Sequence, residues 1–231
     1  MGSDSNFPFY APLVLPLWFL FLFLGGFIFL LIVLQVFTLG FVRLGLSQGQ
    51  VLLILAGSFF GSTINIPIKR FETETQETVR ARSFFGMFYR LPVRRKSVTV
   101  IAVNVGGCLV PVFVSLYLLL KMPSLIPAAA ICIVLCAVVT NRVSRVVPGM
   151  GVATPWFLPP VVSAILAVIF TPEGLAAPVA YATGSLGTLI GADLLNLGKI
   201  KKMGAPVASI GGAGTWDGIF LSALLASLLT W

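Results

Sequence analysis

The stretch SIGGAGTWDGIFLSALLASLL, Ser209–Leu229, is apolar along nearly its whole length and carries a single ionisable side chain, Asp217. As a helix it is long enough to cross the hydrocarbon core of a bilayer, which takes about 20 residues. Three glycines, Gly211, Gly212 and Gly214, precede the aspartate. A soluble core helix has no need of such a run, and the rest of the chain has the same character. Of 231 residues 58% are hydrophobic and 10% charged, with a mean hydropathy of +1.05. That balance excludes an ordinary soluble domain and predicts an all-α, polytopic transmembrane helical bundle forming a single domain, 1–231.

Working outward from this stretch, seven apolar spans can be drawn, at about 12–42, 50–68, 97–120, 124–141, 155–171, 175–197 and 206–229. The loops after spans two, four and six hold 13 of the 15 Lys and Arg residues, and only Arg43 and Lys121 lie on the opposite side. By the positive-inside tendency the three basic loops are cytoplasmic, and the expected arrangement is N-out and C-out in an inner (cytoplasmic) membrane. The net charge of +8 then reflects loops facing anionic headgroups, so the lipid bilayer is an expected partner and nucleic acid is not. The longest loop, 69–96, interleaves Arg82 and Arg90 with Phe84, Phe85, Phe88 and Tyr89, a mix that suits a short helix in the headgroup layer. Pro155, Pro159 and Pro160 bend or begin span five, and Trp156 and Trp231 fit interfacial belts. MGSDSNF carries no basic residue ahead of the first apolar run, and no cleaved signal peptide is expected.

Histidine is absent, which removes Ser-His and Cys-His nucleophile pairs and HExxH zinc sites. Cys108, Cys132 and Cys136 all fall inside apolar runs and read as small hydrophobes. No metal and no cofactor is expected.

Of the seven acids only Asp193 and Asp217 fall within spans. A carboxylate there costs on the order of 2.5–3.5 kcal/mol and is tolerated when it faces protein or water, so each marks a functional position. The two sit on consecutive spans that form a hairpin, 175–229. If span six runs as helix to Lys202, Asp193 lies about 13 Å deep; if span seven starts at Pro206, Asp217 lies about 16 Å deep. Facing carboxylates at matched depth share a proton, one acting as base on a water and the other polarising a carbonyl. Gly184, Gly187 and Gly191 form a small-residue face that predicts close packing against span seven. Gly211, Gly212 and Gly214 predict an unwound approach to Asp217. Asn104, Asn196 and Thr215 are polar residues that can support such a site, and Asn104, near Pro111, can equally bond a neighbouring helix or a freed carbonyl.

GAGTWDGIFLSALL resembles the Gly-x-Gly-Asp segment of intramembrane aspartyl proteases, the presenilin, signal-peptide-peptidase and prepilin-peptidase group. The resemblance implies a catalytic pair of Asp193 and Asp217 with Gly212 and Gly214 as the motif glycines. Thr215 and Trp216 separate Gly214 from the aspartate, and no Pro-Ala-Leu follows. The C-terminal half, including LIGADLLNL and SIGGAGTWDGIFL, also resembles a family of prokaryotic multi-pass membrane proteins of unknown function. The expected function is cleavage of membrane-embedded or juxtamembrane peptides by the two-aspartate dyad. The alternatives are a proton- or cation-coupled transporter and a non-catalytic membrane scaffold.

Overall fold

The computed structural model describes residues 14–82, 88–147, 151–200, 207–212 and 218–230. Chain contacts divide the molecule into Met1–Thr38 and Leu39–Trp231. The boundary falls within the first helix, α1, Val14–Arg43. In the first unit, Trp18 and Phe21 meet edge to face with centroids 6.3 Å apart.

The second unit is mostly helical. α2, Gln48–Gly61, starts at a capping box in which Gln50 N donates to Ser47 Oγ and Ser47 N donates to Gln50 Oε1. α3, Val110–Lys121, α4, Ile126–Val143, and α5, Leu158–Phe170, each carry proline in the first turn, where a missing N–H costs nothing. α6, Ala176–Ala182, continues through wide turns at Thr183–Gly187 and Leu189–Asp193 and a tight turn at Leu194–Asn196 into α7, Leu197–Ile200. The last helix, α8, is Gly218–Leu229. A core of small side chains, among them Ala129, Cys132, Ala167, Ala180 and Ala226, lets α4, α5, α6 and α8 approach closely. Tyr181 and Phe220 flank Phe41, with ring centroids 5.8 and 6.0 Å from it.

The expectation of an all-α chain is corrected by strands. β1, Asn65–Arg82, and β2, Phe88–Asn104, form a long antiparallel hairpin. It takes in the ends of the expected spans 50–68 and 97–120 and all of the described part of loop 69–96. The helix expected in the headgroup layer is therefore not formed at Phe88–Arg90, which is strand; Phe84 and Phe85 lie outside the described residues. The physical reason lies in Val98, Thr99, Val100, Ile101 and Val103, whose branched side chains are stiff at χ1 and fit a pleated surface. β5, Val207–Ile210, pairs in parallel with β2 from Val100↔Val207 to Val103↔Ile210, giving the order β1-β2-β5. The start of the expected span 206–229 is thus strand, and α8 begins only at Gly218. β3, Arg145–Val147, and β4, Gly151–Ala153, make a small second hairpin.

Among the described residues, two helices, Trp18–Arg43 and Pro123–Val143, are long and apolar enough to cross a membrane. Gln48–Gly61, Val105–Lys121, Leu158–Phe170 and Gly218–Leu229 are apolar but shorter. Arg43 Nη1 donates to the Leu228 and Thr230 carbonyls, at 3.1 and 3.3 Å, and Lys121 Nζ to that of Gly45, at 3.4 Å. The C-terminal ends of α1, α3 and α8 therefore gather together, and both cations of the expected outer side satisfy helix-end carbonyls there. An odd number of crossings leaves the two ends of a chain on opposite sides, so seven spans cannot be N-out and C-out together. With the three basic loops inside, the same charge map demands N-in and C-out.

Asn104 joins the sheet to the helices. Its Oδ1 accepts from Gly107 N at 2.7 Å, capping the turn that leads into α3, and its Nδ2 donates to Ser62 O at 2.7 Å and Asn65 Oδ1 at 3.1 Å. The structural role read from the sequence is the one observed. Asn104→Ala leaves a buried carbonyl and a buried N–H unpaired and is expected to cost about 2–4 kcal/mol. Thermal unfolding in detergent measures this, and an unchanged midpoint would show that the cap contributes nothing.

Candidate functional site

Asp193 ends the second wide turn of the segment after α6. Such turns bond five residues back and leave carbonyls short of a donor, a pattern often found at functional sites. Here the Gly191 carbonyl accepts from Asn141 Nδ2 at 3.0 Å and Asn196 Nδ2 at 3.3 Å, and Ala192 O accepts from Asn196 Nδ2 at 2.9 Å. Asn196 is fully buried and its Oδ1 accepts from Lys199 Nζ at 3.0 Å. Its role is to hold the irregular backbone on which Asp193 sits.

The expected small-residue face divides between two neighbours. A Cβ on Gly184 would meet Ser222 O at 2.7 Å and Ala223 Cα at 3.0 Å, both on α8, as expected. One on Gly187 would meet Cys136 Sγ at 2.9 Å, and one on Gly191 Thr140 Cβ at 2.8 Å, both on α4. The wide turns rotate the later glycines away from α8, which a regular 3.6-residue period does not anticipate. Because Asn141 bonds to Gly191, Asp193 lies close to the last turn of α4.

Half-buried Asp193 reaches the chain that leads to α8: Gly211 N donates to its Oδ2 at 3.4 Å. Gly211 and Gly212 have φ of +80° and +78°, the left-handed region where only glycine is at ease. A Cβ on Gly211 would also stand 2.5 Å from Cys108 Cβ and 2.7 Å from its amide nitrogen. The unwound approach expected from the glycines is present at these two positions. Gly214, Thr215 and Asp217 lie outside the described residues, and so does the separation of the two carboxylates.

Asp193 borders a cavity of about 290 Å³. Its walls are the length of β5, Ile101 of β2, Leu197 and Ile200 of α7, Gly212, and Gly151 and Val152 of β4. Among the described residues β5 is an edge strand of its sheet, as β1 is on the other side. Ser209 Oγ donates to Asn65 Oδ1 at 2.6 Å, and exposed Asn65 is in turn bonded by buried Asn104, so the pair ties this wall to β1 and β2. The sequence reading missed Ser209, β5 and the β3–β4 hairpin as parts of the site. A run such as VASI is too short for its apolar period to distinguish strand from helix, and only its branched residues carried a signal.

Gly211→Ala imposes both a left-handed φ and contact with Cys108, and is expected to cost at least about 2 kcal/mol and to displace the amide from Asp193. Gly45→Ala, equally left-handed at φ +75° but with open space around it, is the matched control. Equal melting points for the two variants would show that the Cys108 contact adds nothing.

The family whose model matches the chain, over residues 59–229, is described as a protein of unknown function, DUF1614. The chain belongs to the DUF1614 family. The match takes in the sheet, α3 to α7, the cavity and α8, so this site is built within the family's own segment. No curated protein and no solved structure shows significant similarity to the chain.

Proposed function

We propose that this DUF1614 chain is an integral membrane aspartyl peptidase with Asp193 and Asp217 as its dyad, acting on membrane-embedded or juxtamembrane peptides. The observation that carries the reading is the contact between Asp193 and Gly211, which ties the acid of the sixth helical segment to the glycine turn that precedes Asp217. The cavity beside Asp193 adds a place for substrate. Along it β5 offers an unpaired edge, onto which an extended peptide can add as a further strand. In this reading the helices form seven crossings, N-in and C-out, with Asp193 near the cytoplasmic end.

The chemistry needs no other group. The ionised carboxylate takes a proton from a water whose oxygen attacks the scissile carbonyl carbon, while the protonated carboxyl gives its proton to the carbonyl oxygen. The tetrahedral diol then collapses, the C–N bond breaks, and a carboxyl proton passes to the leaving nitrogen. The test is to reconstitute the protein in liposomes with a pool of single-span peptides and to search for cleaved products by mass spectrometry. Cleavage by the wild type and silence from Asp193→Asn support the reading; cleavage of equal rate by Asp193→Asn defeats it.

One observation favours a second reading. Among the described residues, the buried hydroxyls of Tyr181, Thr183, Ser185 and Thr188, on the segment that leads to Asp193, have no hydrogen-bond partner. Such a concentration of hydroxyls suits a hydrated path for a proton or cation. Transport predicts that a pH gradient across the liposome dissipates faster with the wild type than with Thr188→Val, whereas a peptidase predicts no difference.

A further inference from the structure

We infer that the groove between the end of α4 and the β3–β4 hairpin is a binding site for the headgroup of an anionic phospholipid. The groove measures about 600 Å³ and has Arg142 and Arg145 on its wall, both exposed. The remaining lining is Val143, Val147, Ala153, Thr154 and Pro155, with no carboxylate among it. Two guanidiniums over an apolar floor match an amphiphile, whose phosphate takes the forked N–H donors and whose glycerol and upper chains cover the valines and proline. A free phosphate would leave that floor bare. The groove is preformed: buried Ser144 Oγ donates to Thr140 O at 2.7 Å and pairs with Thr154 Oγ1 at 2.7 Å, fastening β4 to α4. Val143 and Val147 therefore stay in place when nothing is bound.

The neighbouring surface agrees. Trp156 and Phe157, next in sequence to the groove, are 76% and 54% exposed and stack edge to face at 6.0 Å. An exposed Trp-Phe pair at the start of an apolar helix belongs at headgroup level, where aromatic belts lie. Ordinary positive-inside anchoring needs only charge in a loop. The concave apolar floor and the hydroxyl tie are what it leaves unexplained.

The test is native mass spectrometry of the full chain released from micelles that hold equal phosphatidylglycerol and phosphatidylcholine. The wild type is expected to retain phosphatidylglycerol over phosphatidylcholine by about tenfold or more, as two charge-assisted pairs allow. Arg142→Gln/Arg145→Gln should bring the ratio close to unity. Lys69→Gln/Arg70→Gln, which removes the same charge from the β1 hairpin, should leave the ratio unchanged. Arg142→Lys/Arg145→Lys keeps the charge without the fork, and should fold as the wild type and retain the lipid several-fold less well. Melting without added lipid confirms that each variant is folded. Equal retention of the two lipids by the wild type, or wild-type retention by both arginine variants, overturns the inference. So does an equal loss in the β1 control, or displacement of the lipid by millimolar inorganic phosphate or by an acidic peptide.

Discussion

Asp217→Asn is expected to abolish peptide cleavage while leaving the fold intact. A dyad works only with one proton shared between two carboxyls, and an amide cannot take the proton that the attacking water must lose. General base catalysis alone contributes about 100- to 10,000-fold, so residual activity should fall at least that far. Asp193→Asn should lose as much, and the double variant little more, because groups that act as a unit do not contribute additively. Stability should not suffer, since a neutral side chain at membrane depth is easier to bury than a carboxylate by about 2.5–3.5 kcal/mol. The wild-type rate should trace a bell against pH, lost at low pH when both carboxyls are protonated and at high pH when neither is. A rate within about threefold of wild type for Asp217→Asn would falsify the dyad, since the smallest effect of removing a positioned base is about 100-fold.

The largest structural effect is expected at Gly106. It lies in the turn Val105–Leu109 that leads into α3, where the chain runs directly against the end of α2. A Cβ there would fall on Ser58 O and Ser62 N, closer than any side chain tolerates, and 2.9 Å from the Gly61 carbonyl carbon. All three are backbone atoms, so no rotamer change gives relief, and the contact is fastened further by Ser58 Oγ donating to Gly106 O at 2.9 Å and Val105 N to Ile64 O at 3.0 Å. Gly106→Ala must therefore separate α2 from α3, and is expected to cost more than the usual overpacking penalty of about 1–3 kcal/mol. Gly57, on the same helix α2, has nothing within 4 Å of its added Cβ. Gly57→Ala should be neutral or stabilising by up to about 1 kcal/mol through helix propensity. Thermal unfolding of the two variants in one detergent measures the contrast. A Gly106→Ala midpoint equal to that of Gly57→Ala would show that the two helices do not meet as described.

The legible parts of the site were those that depend on residue type alone. Asp193 stood out because an acid in an apolar run has to be explained, and Gly211 and Gly212 because consecutive glycines ahead of a helix mark a turn. Asn104 was read as a helix-end partner, and bonds as one. A regular period served less well: on 3.6 residues per turn Gly184, Gly187 and Gly191 all face α8, whereas the wide turns leave only Gly184 there and bring Gly187 and Gly191 to α4. The helix drawn from Pro206 is strand at Val207–Ile210, where pairing with β2 takes the place of helical bonds.

By itself the sequence determined the strongly apolar character of the chain, the helices around apolar cores such as Ile126–Val143, and the two acids that call for explanation. Those follow from transfer free energies, which belong to each residue wherever it lies in the fold. Only the tertiary structure decided that Val98–Val103 and Val207–Ile210 are strands, that β5 is the wall of a cavity beside Asp193, and that Asn65, Asn104 and Ser209 hold that wall. An apolar branched run satisfies its backbone equally well as a helix or in a sheet. The choice rests on whether a partner strand is present, and β2 and β5, about a hundred residues apart in the chain, are neighbours only in the folded structure.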